Sequence, residues 1–251
     1  MFFFDDFHGK KVLKSTLLKG CDHFFTTRDM ILHSGTRDDL VKLASDGVDF
    51  LLGNFSLGYN NLYRVNQVHS SNVEIADNNI HLYENTDGII ITEPNMITFL
   101  NFADCVPIIL YDAKINIGGV VHAGWRGTAS KIVQNAVKKM TSLGSNPINI
   151  SAAIGPSIGK CCFCVNDDVF YKITDKTDKK YINEISSYDK ESEKYFVDLK
   201  SVNKILLEEA GVKKIDSAGY CTCCMNDVFF SYRKENGNTA RHSAVLKLRY
   251  K

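Results

Sequence analysis

The sequence has no run of about eighteen consecutive apolar residues, so no segment is marked as a helical membrane span. A secretory leader is not expected either. Met1-Phe-Phe-Phe-Asp-Asp is apolar for three residues after the methionine and then acidic, where a leader starts basic and stays apolar for longer. An excess of one charge is also missing: 30 Lys and Arg face 29 Asp and Glu, and neither sign collects into a tail. This argues against a nucleic-acid or membrane surface and favours a small-molecule partner. With 4 prolines there is no Pro/Ser/Gly-rich linker, and no internal repeat stands out. Mixed strand and helix patterns over 251 residues then predict an α+β (mixed α/β) fold, one domain over residues 1–251 with a mixed sheet flanked by helices.

Cysteine, by contrast, is plentiful. Eight of them without an export signal read as reduced thiols or metal ligands rather than a disulfide framework, which implies a cytoplasmic setting.

Short apolar runs at 88–92, 97–102, 107–111 and 117–122, separated by Pro, Asn, Asp and Gly, predict successive strands of a partly buried sheet, and 148–154 predicts another. Ile132, Val133, Ala136, Val137 and Met140 recur at helical spacing and predict a helix from near Thr128 to about Gly144. Asp198 can cap a helix whose apolar face is Val202, Ile205, Leu206 and Ala210, with Gly211 as its stop. The polar stretch 172–194 reads as an exposed excursion without chemistry.

Three residues combine the side chains that hold a catalytic metal: His69, Cys105 and His122. Catalytic zinc commonly takes three protein ligands and leaves one position open. Cys105 and His122 each fall where an apolar run meets a loop, a rigid place with solvent access. Their separations match no compact zinc signature, and a buried thiol beside two hydrogen-bonded imidazoles is the structural alternative. Arg126 and free backbone N–H groups at a helix start near Thr128 suit phosphate; the alternative is an arginine paired with a carboxylate and a threonine that only caps. A second cluster competes. Cys161-x-x-Cys164 and Cys221-x-x-Cys224, with Cys162 and Cys223 adjacent, could supply a closed four-thiolate site, although the pairs lie much farther apart than in a zinc ribbon.

Several blocks occur in order: His23-Phe-Phe-Thr-Thr-Arg28, Gln67-Val-His69, Thr86-Asp-Gly88, Ala103-Asp-Cys-Val-Pro-Ile108 and Gly119-Val-Val-His-Ala-Gly-Trp-Arg-Gly127. They continue through Ile154-Gly-Pro-Ser-Ile-Gly159, Cys161-Cys162-Phe163, Cys221-Thr222 and Phe229-Phe-Ser-Tyr-Arg233 to Arg241. Together they resemble the laccase-domain purine nucleoside phosphorylase family, formerly described as multicopper polyphenol oxidoreductases. The resemblance implies zinc on His69, Cys105 and His122. It also implies phosphorolysis of adenosine, inosine, guanosine and S-methyl-5'-thioadenosine, with adenosine deamination. Purine nucleosides and phosphate are the implied partners. Cys164 stands where family members often carry Glu, and Ala240 precedes Arg241 where Gly is usual.

On this reading Cys105 and His122 sit at the reacting centre, Asp104 or Asp87 moves a proton, and Arg126, Thr128, Gln67 and Arg241 hold phosphate or substrate. Three rivals stay open: a copper-dependent polyphenol oxidase, a metal-stabilised binding module without activity, and a thiol enzyme with Cys105 as nucleophile. An oxidase with several coppers fits poorly, since the chain has only 7 histidines.

Overall fold

Along the apolar strands, alternate residues go to opposite faces, and here both faces are covered, which is why the strands read as unbroken Ile, Val and Leu. The structure, a computed structural model, describes residues 1–175 and 178–250. One sheet has seven strands in the order β1 (Phe2–Phe7), β2 (Lys10–Ser15), β3 (Cys21–Thr26), β16 (His242–Leu248), β8 (Ile97–Phe102), β4 (Leu62–Val65) and β6 (Leu82–Tyr83). A second has six: β15 (Lys214–Ser217), β11 (Ile150–Ile154), β9 (Val106–Asp112), β10 (Ile117–Ala123), β7 (Gly88–Ile91) and β5 (Val73–Ile75). Both are mixed, because β4 runs parallel to β8 and β6, and β11 to β15 and β5 to β7 are parallel pairs.

The sheets pack face to face. Phe25, Leu100 and Leu246 of the larger sheet meet Ile89, Ile91, Ile109 and Val120 of the smaller. The intervening residues point the other way. Ile90, Ile108, Leu110 and Val121 pack under the helices α3 (Ile132–Ser142) and α6 (Leu199–Glu209). On the far side, Val12, Phe24, Phe99 and Val245 pack under α1 (Val41–Asn54) through Val48, Leu51 and Leu52. The result is a four-layer helix–sheet–sheet–helix α+β arrangement. Each fully buried aliphatic side chain contributes about 1.5–3 kcal/mol, so the layers are held mainly by these two-sided strands.

The expected strands are present with small shifts at their ends, but they do not all lie side by side. The strand at 97–102 belongs to the seven-stranded sheet, while those before and after it belong to the six-stranded one. A strand buried on both faces has the same apolar pattern in either sheet, so its sequence cannot assign it. The chain crosses between sheets at Asp104, whose φ is +87°.

The helix expected from Thr128 to Gly144 is two helices. The short α2 (Trp125–Ala129) is followed by Lys131 at φ +62°, and α3 starts only at Ile132. Gly124 precedes the first turn, and the Thr128 N–H already donates to the Gly124 carbonyl at 2.8 Å. The helix capped by Asp198 is as expected: the carboxylate accepts from Ser201 N at 3.1 Å, and Gly211, φ +91°, follows the last turn.

The stretch read as an exposed excursion carries more order than its polarity suggests. It takes in the end of α4 (Asp167–Thr174), the short α5 (Ile182–Ile185), and β13 (Ser186–Asp189), which with β14 (Lys194–Val197) and β12 (Cys164–Val165) makes a three-stranded antiparallel sheet. Ile173 and Ile185 anchor it to the core. Residues 176 and 177 of that stretch lie outside the described residues. Among the described residues, no helix is long and apolar enough to cross a membrane.

Candidate metal centre and cavity

His122 is near the end of β10, opposite Pro107 of β9, and Cys105 immediately precedes β9, so sheet pairing brings the two to one end of the smaller sheet. His69 arrives from the loop between β4 and β5. It holds a left-handed backbone, φ +63°, which a residue with a Cβ adopts only when its surroundings impose it. Here the constraint is Asp87, a fully buried carboxylate just before β7. Its oxygens accept from the backbone N–H of Val68 (3.2 Å), His69 (3.0 Å) and Ser70 (2.7 Å) and from the Ser70 hydroxyl (2.8 Å).

The same Asp87 lies 2.8 Å from His122 Nδ1. Burial raises its pKa, but His122 and Ser70 outweigh that and bring it down to about 2. An ionised carboxylate only accepts, so Nδ1 of His122 carries a hydrogen and Nε2 is left to face Cys105. Burial likewise opposes the charged forms of Cys105 and His122, yet each supports the other. The Cys105 thiol is held down to about 6 by His122 and His69, and the His122 imidazole is raised to about 9 by Cys105 and Asp87.

The donor atoms of His69, Cys105 and His122 lie within 4.8 Å of one another, with His69 Nε2 and Cys105 Sγ 3.8 Å apart. Two imidazoles and a thiolate suit a borderline-soft cation such as zinc. Gly124 keeps the cradle clear: a Cβ there would stand 3.0 Å from the His69 ring and 3.1 Å from Cys105 Sγ. The three residues therefore fit the implied ion, and the buried Asp87 gives His122 the carboxylate support that ligating histidines usually have.

The centre forms part of the wall of a cavity of about 610 Å³, within the ordinary range for small-molecule sites. Arg126, Arg233 and Arg241 also line it. Arg126 lies 4.2 Å over the Trp125 ring instead of pairing with a carboxylate. Arg233 donates to the Cys162 and Cys164 carbonyls, and Arg241 to those of Thr239 and Ala240. Among the described residues, none of the three is in an ion pair, so all three positive charges are available to an anion.

Several expected roles change with this placement. Thr128 does not line the cavity; it is buried, and its hydroxyl accepts from Asn203 Nδ2 at 2.9 Å. Asp87 has no free face for proton transfer and works by positioning His122 and the His69 loop. Asp104 borders the cavity, but its oxygens accept from the Thr222 hydroxyl (2.6 Å) and the Arg233 N–H (2.7 Å), so it braces the chain segment that carries Arg233. Gln67 lines the cavity with its amide committed at both ends to the backbone of Asn101, tying the His69 loop to β8. Cys105, His122, Arg126 and Arg241 all border the cavity.

A family profile described as "multi-copper polyphenol oxidoreductase laccase" matches residues 20–249. The chain belongs to this family. The purine nucleoside phosphorylase of Deinococcus radiodurans is 30% identical over 234 residues, covering 90% of this chain and 88% of that protein. Adenosine deaminase RL5, from an unknown prokaryotic organism, is 29% identical and covers 89% and 92%. Purine nucleoside phosphorylase YlmD of Bacillus subtilis is 35% identical over 168 residues, and the match spans 65% of this chain and 59% of that relative. Among solved structures, YlmD from Geobacillus stearothermophilus superposes with a TM-score of 0.89 at 26% identity over 98% of this chain and 99% of that one.

Sequence reasoning missed Arg233, His33, Tyr232 and Asn101 as cavity residues. Arg233 closes a segment already notable in the sequence, but nothing local says that it returns to Asp104. His33 carries no local signal that ties it to the centre. It reaches the cavity because residue 33 bridges to Arg241, a contact between distant parts of the chain.

Proposed function

We propose that this chain is a zinc-dependent purine nucleoside phosphorylase with adenosine deaminase activity, acting on adenosine, inosine, guanosine and S-methyl-5'-thioadenosine in the reducing cytoplasm, and that residues 1–251 form one laccase-like domain that carries it. The observation that carries this reading is the joining of a His69–Cys105–His122 cradle to three arginines that, among the described residues, have no carboxylate partner, around one cavity. His69, Cys105 and His122 hold the ion. Bound there, zinc supplies Lewis-acid charge at the cavity wall.

Phosphate meets the guanidinium groups of Arg126, Arg233 and Arg241, whose planar donors match its oxygens. The nucleoside occupies the rest of the cavity with its sugar carbon presented to that phosphate. As the C–N bond breaks, negative charge grows on the departing purine and needs a donor. His33 is suited to this: its Nδ1 accepts from Gly35 N–H at 2.6 Å, which leaves the ring hydrogen on Nε2, and burial and then Arg241 lower its pKa and keep it neutral. Asp87 keeps His122 in one tautomer, and Asp104 holds the backbone of Arg233. The names of the Deinococcus and Bacillus relatives agree with the phosphorylase reading, and that of RL5 with the deaminase.

Purified protein incubated with adenosine or inosine should release free base and ribose-1-phosphate only when phosphate is present. His122→Ala should lose both the bound zinc and this activity. Base release that ignores phosphate, or a protein that holds copper and oxidises phenols without acting on nucleosides, overturns the reading.

A further inference from the structure

Cys161, Cys162, Cys221 and Cys224 come together at the surface, in a group separate from the His69–Cys105–His122 centre, and the proposed reaction makes no use of them. Their four sulfur atoms all lie within 4.8 Å of one another, with Cys161 to Cys224 at 3.6 Å and Cys162 to Cys224 at 3.5 Å. A disulfide would bring two sulfurs to about 2.0 Å. Four thiolates around one zinc, each at about 2.3 Å, stand about 3.8 Å apart at the corners of a tetrahedron. The two short separations lie near that tetrahedral edge and far from a disulfide length.

We propose that these four cysteines form a second, structural zinc site. The ligand set differs from the one suggested by the two C-x-x-C pairs. Cys164 opens β12 opposite Phe196 and its sulfur faces Arg233 Nη1 at 3.3 Å, while Cys162, in the turn where its N–H donates to the Gly159 carbonyl, takes the fourth place.

One fixed backbone donor faces the group. Gly159 N–H donates to Cys221 Sγ at 3.1 Å, and a donor aimed at a sulfur stabilises its charged form. Lys200 is buried nearby with its ammonium on the Ala218 and Tyr220 carbonyls. Four protein sulfurs fill the coordination of a tetrahedral ion, which makes the site closed and structural.

Its place in the fold gives it work to do. It clips the 157–163 segment to the 221–225 segment, which also meet through the Ser157–Cys221 bridge and the bond from Thr222 N–H to the Ser157 carbonyl. From these segments Thr222 holds Asp104, Phe163 lines the cavity, and the Cys162 carbonyl receives Arg233. The second ion therefore braces one wall of the cavity, whatever reaction takes place there.

The test counts zinc in the full chain purified under reducing conditions. Wild type should hold two equivalents, and the Cys221→Ser/Cys224→Ser and His69→Ala/His122→Ala variants one each, while Cys164→Ser keeps both. If the cysteine variant does not fold, the histidine variant decides alone: with cobalt in place of zinc, it should show the intense sulfur-to-cobalt charge-transfer absorption of a four-thiolate site. A wild type with one equivalent that vanishes in the histidine variant overturns the proposal. So does a second equivalent that survives loss of Cys221 and Cys224.

Discussion

At the scale of single residues, Asp87 joins two things that sequence places 18 and 35 positions away, the His69 backbone and the His122 ring. Its effect reaches the ion through protons. In the metal-free centre Cys105 is a thiolate above about pH 6, while His122 keeps its second proton up to about pH 9. Zinc needs the thiolate and a bare Nε2, so between these values binding displaces the His122 proton alone from the pair. Below about 6 the Cys105 proton must leave as well, and above about 9 neither remains. Apparent zinc affinity should therefore rise with pH, and calorimetry in buffers of different ionisation enthalpy should find the release from this pair falling from two protons to none across that range. A release independent of pH would show that the pair does not hold the ion. The raised His122 value also stabilises the metal-free fold below its ordinary 6.5, a contribution lost as pH rises through about 9. His69, Cys105 and His122 stood out in the sequence as side chains able to hold an ion, but their spacing left a buried thiol beside two hydrogen-bonded imidazoles as an alternative, and only the family resemblance implied that they act together. The role of Asp87 was not legible there, since a carboxylate beside a turn looks the same whether it moves protons or holds a loop.

Among the elements, the turn from β10 into α2 decides the shape of the cradle. Gly124 has φ −66°, which any residue adopts, so the reason for glycine there is space and not backbone freedom. Gly124→Ala should leave the fold intact and weaken zinc binding, because the new methyl meets the His69 ring and the Cys105 sulfur. We expect a loss of about 10–100-fold, the size seen when support around a metal is disturbed. Competition with a chromogenic chelator would measure it, and unchanged affinity would mean that the ligands do not close on the ion as described. The apolar spacing of α3 was readable from 132 to 140, whereas the break before it was not. Lys131 sits in a left-handed conformation that its side chain does nothing to announce, and Trp125–Ala129 is too short to show a period.

For the molecule as a whole, the close approach of the two sheets is the governing contact. Gly155, just after β11, lies against Phe25 of β3, and a Cβ there would come within 2.3 Å of the ring. Gly155→Ala should destabilise the protein by about 1–3 kcal/mol, as overpacking of a tight core does. Adding Phe25→Leu should recover part of that cost, because the two changes share one contact. Urea unfolding of the single and double variants checks this, and strict additivity would show that the layers do not meet there. The sequence by itself determined the α+β class, the strands and helices with strong periods, the side chains that could hold an ion and the family, since each depends on local pattern or on the side chains themselves. Only the tertiary structure decided which sheet each strand joins, which aspartates hold and which face the cavity, that Arg233 and His33 border it, and that Cys162 stands with the surface cysteines in place of Cys164. Those outcomes depend on contacts between distant segments, and a strand buried on both faces or a polar residue beside a turn carries the same local signal in several possible folds.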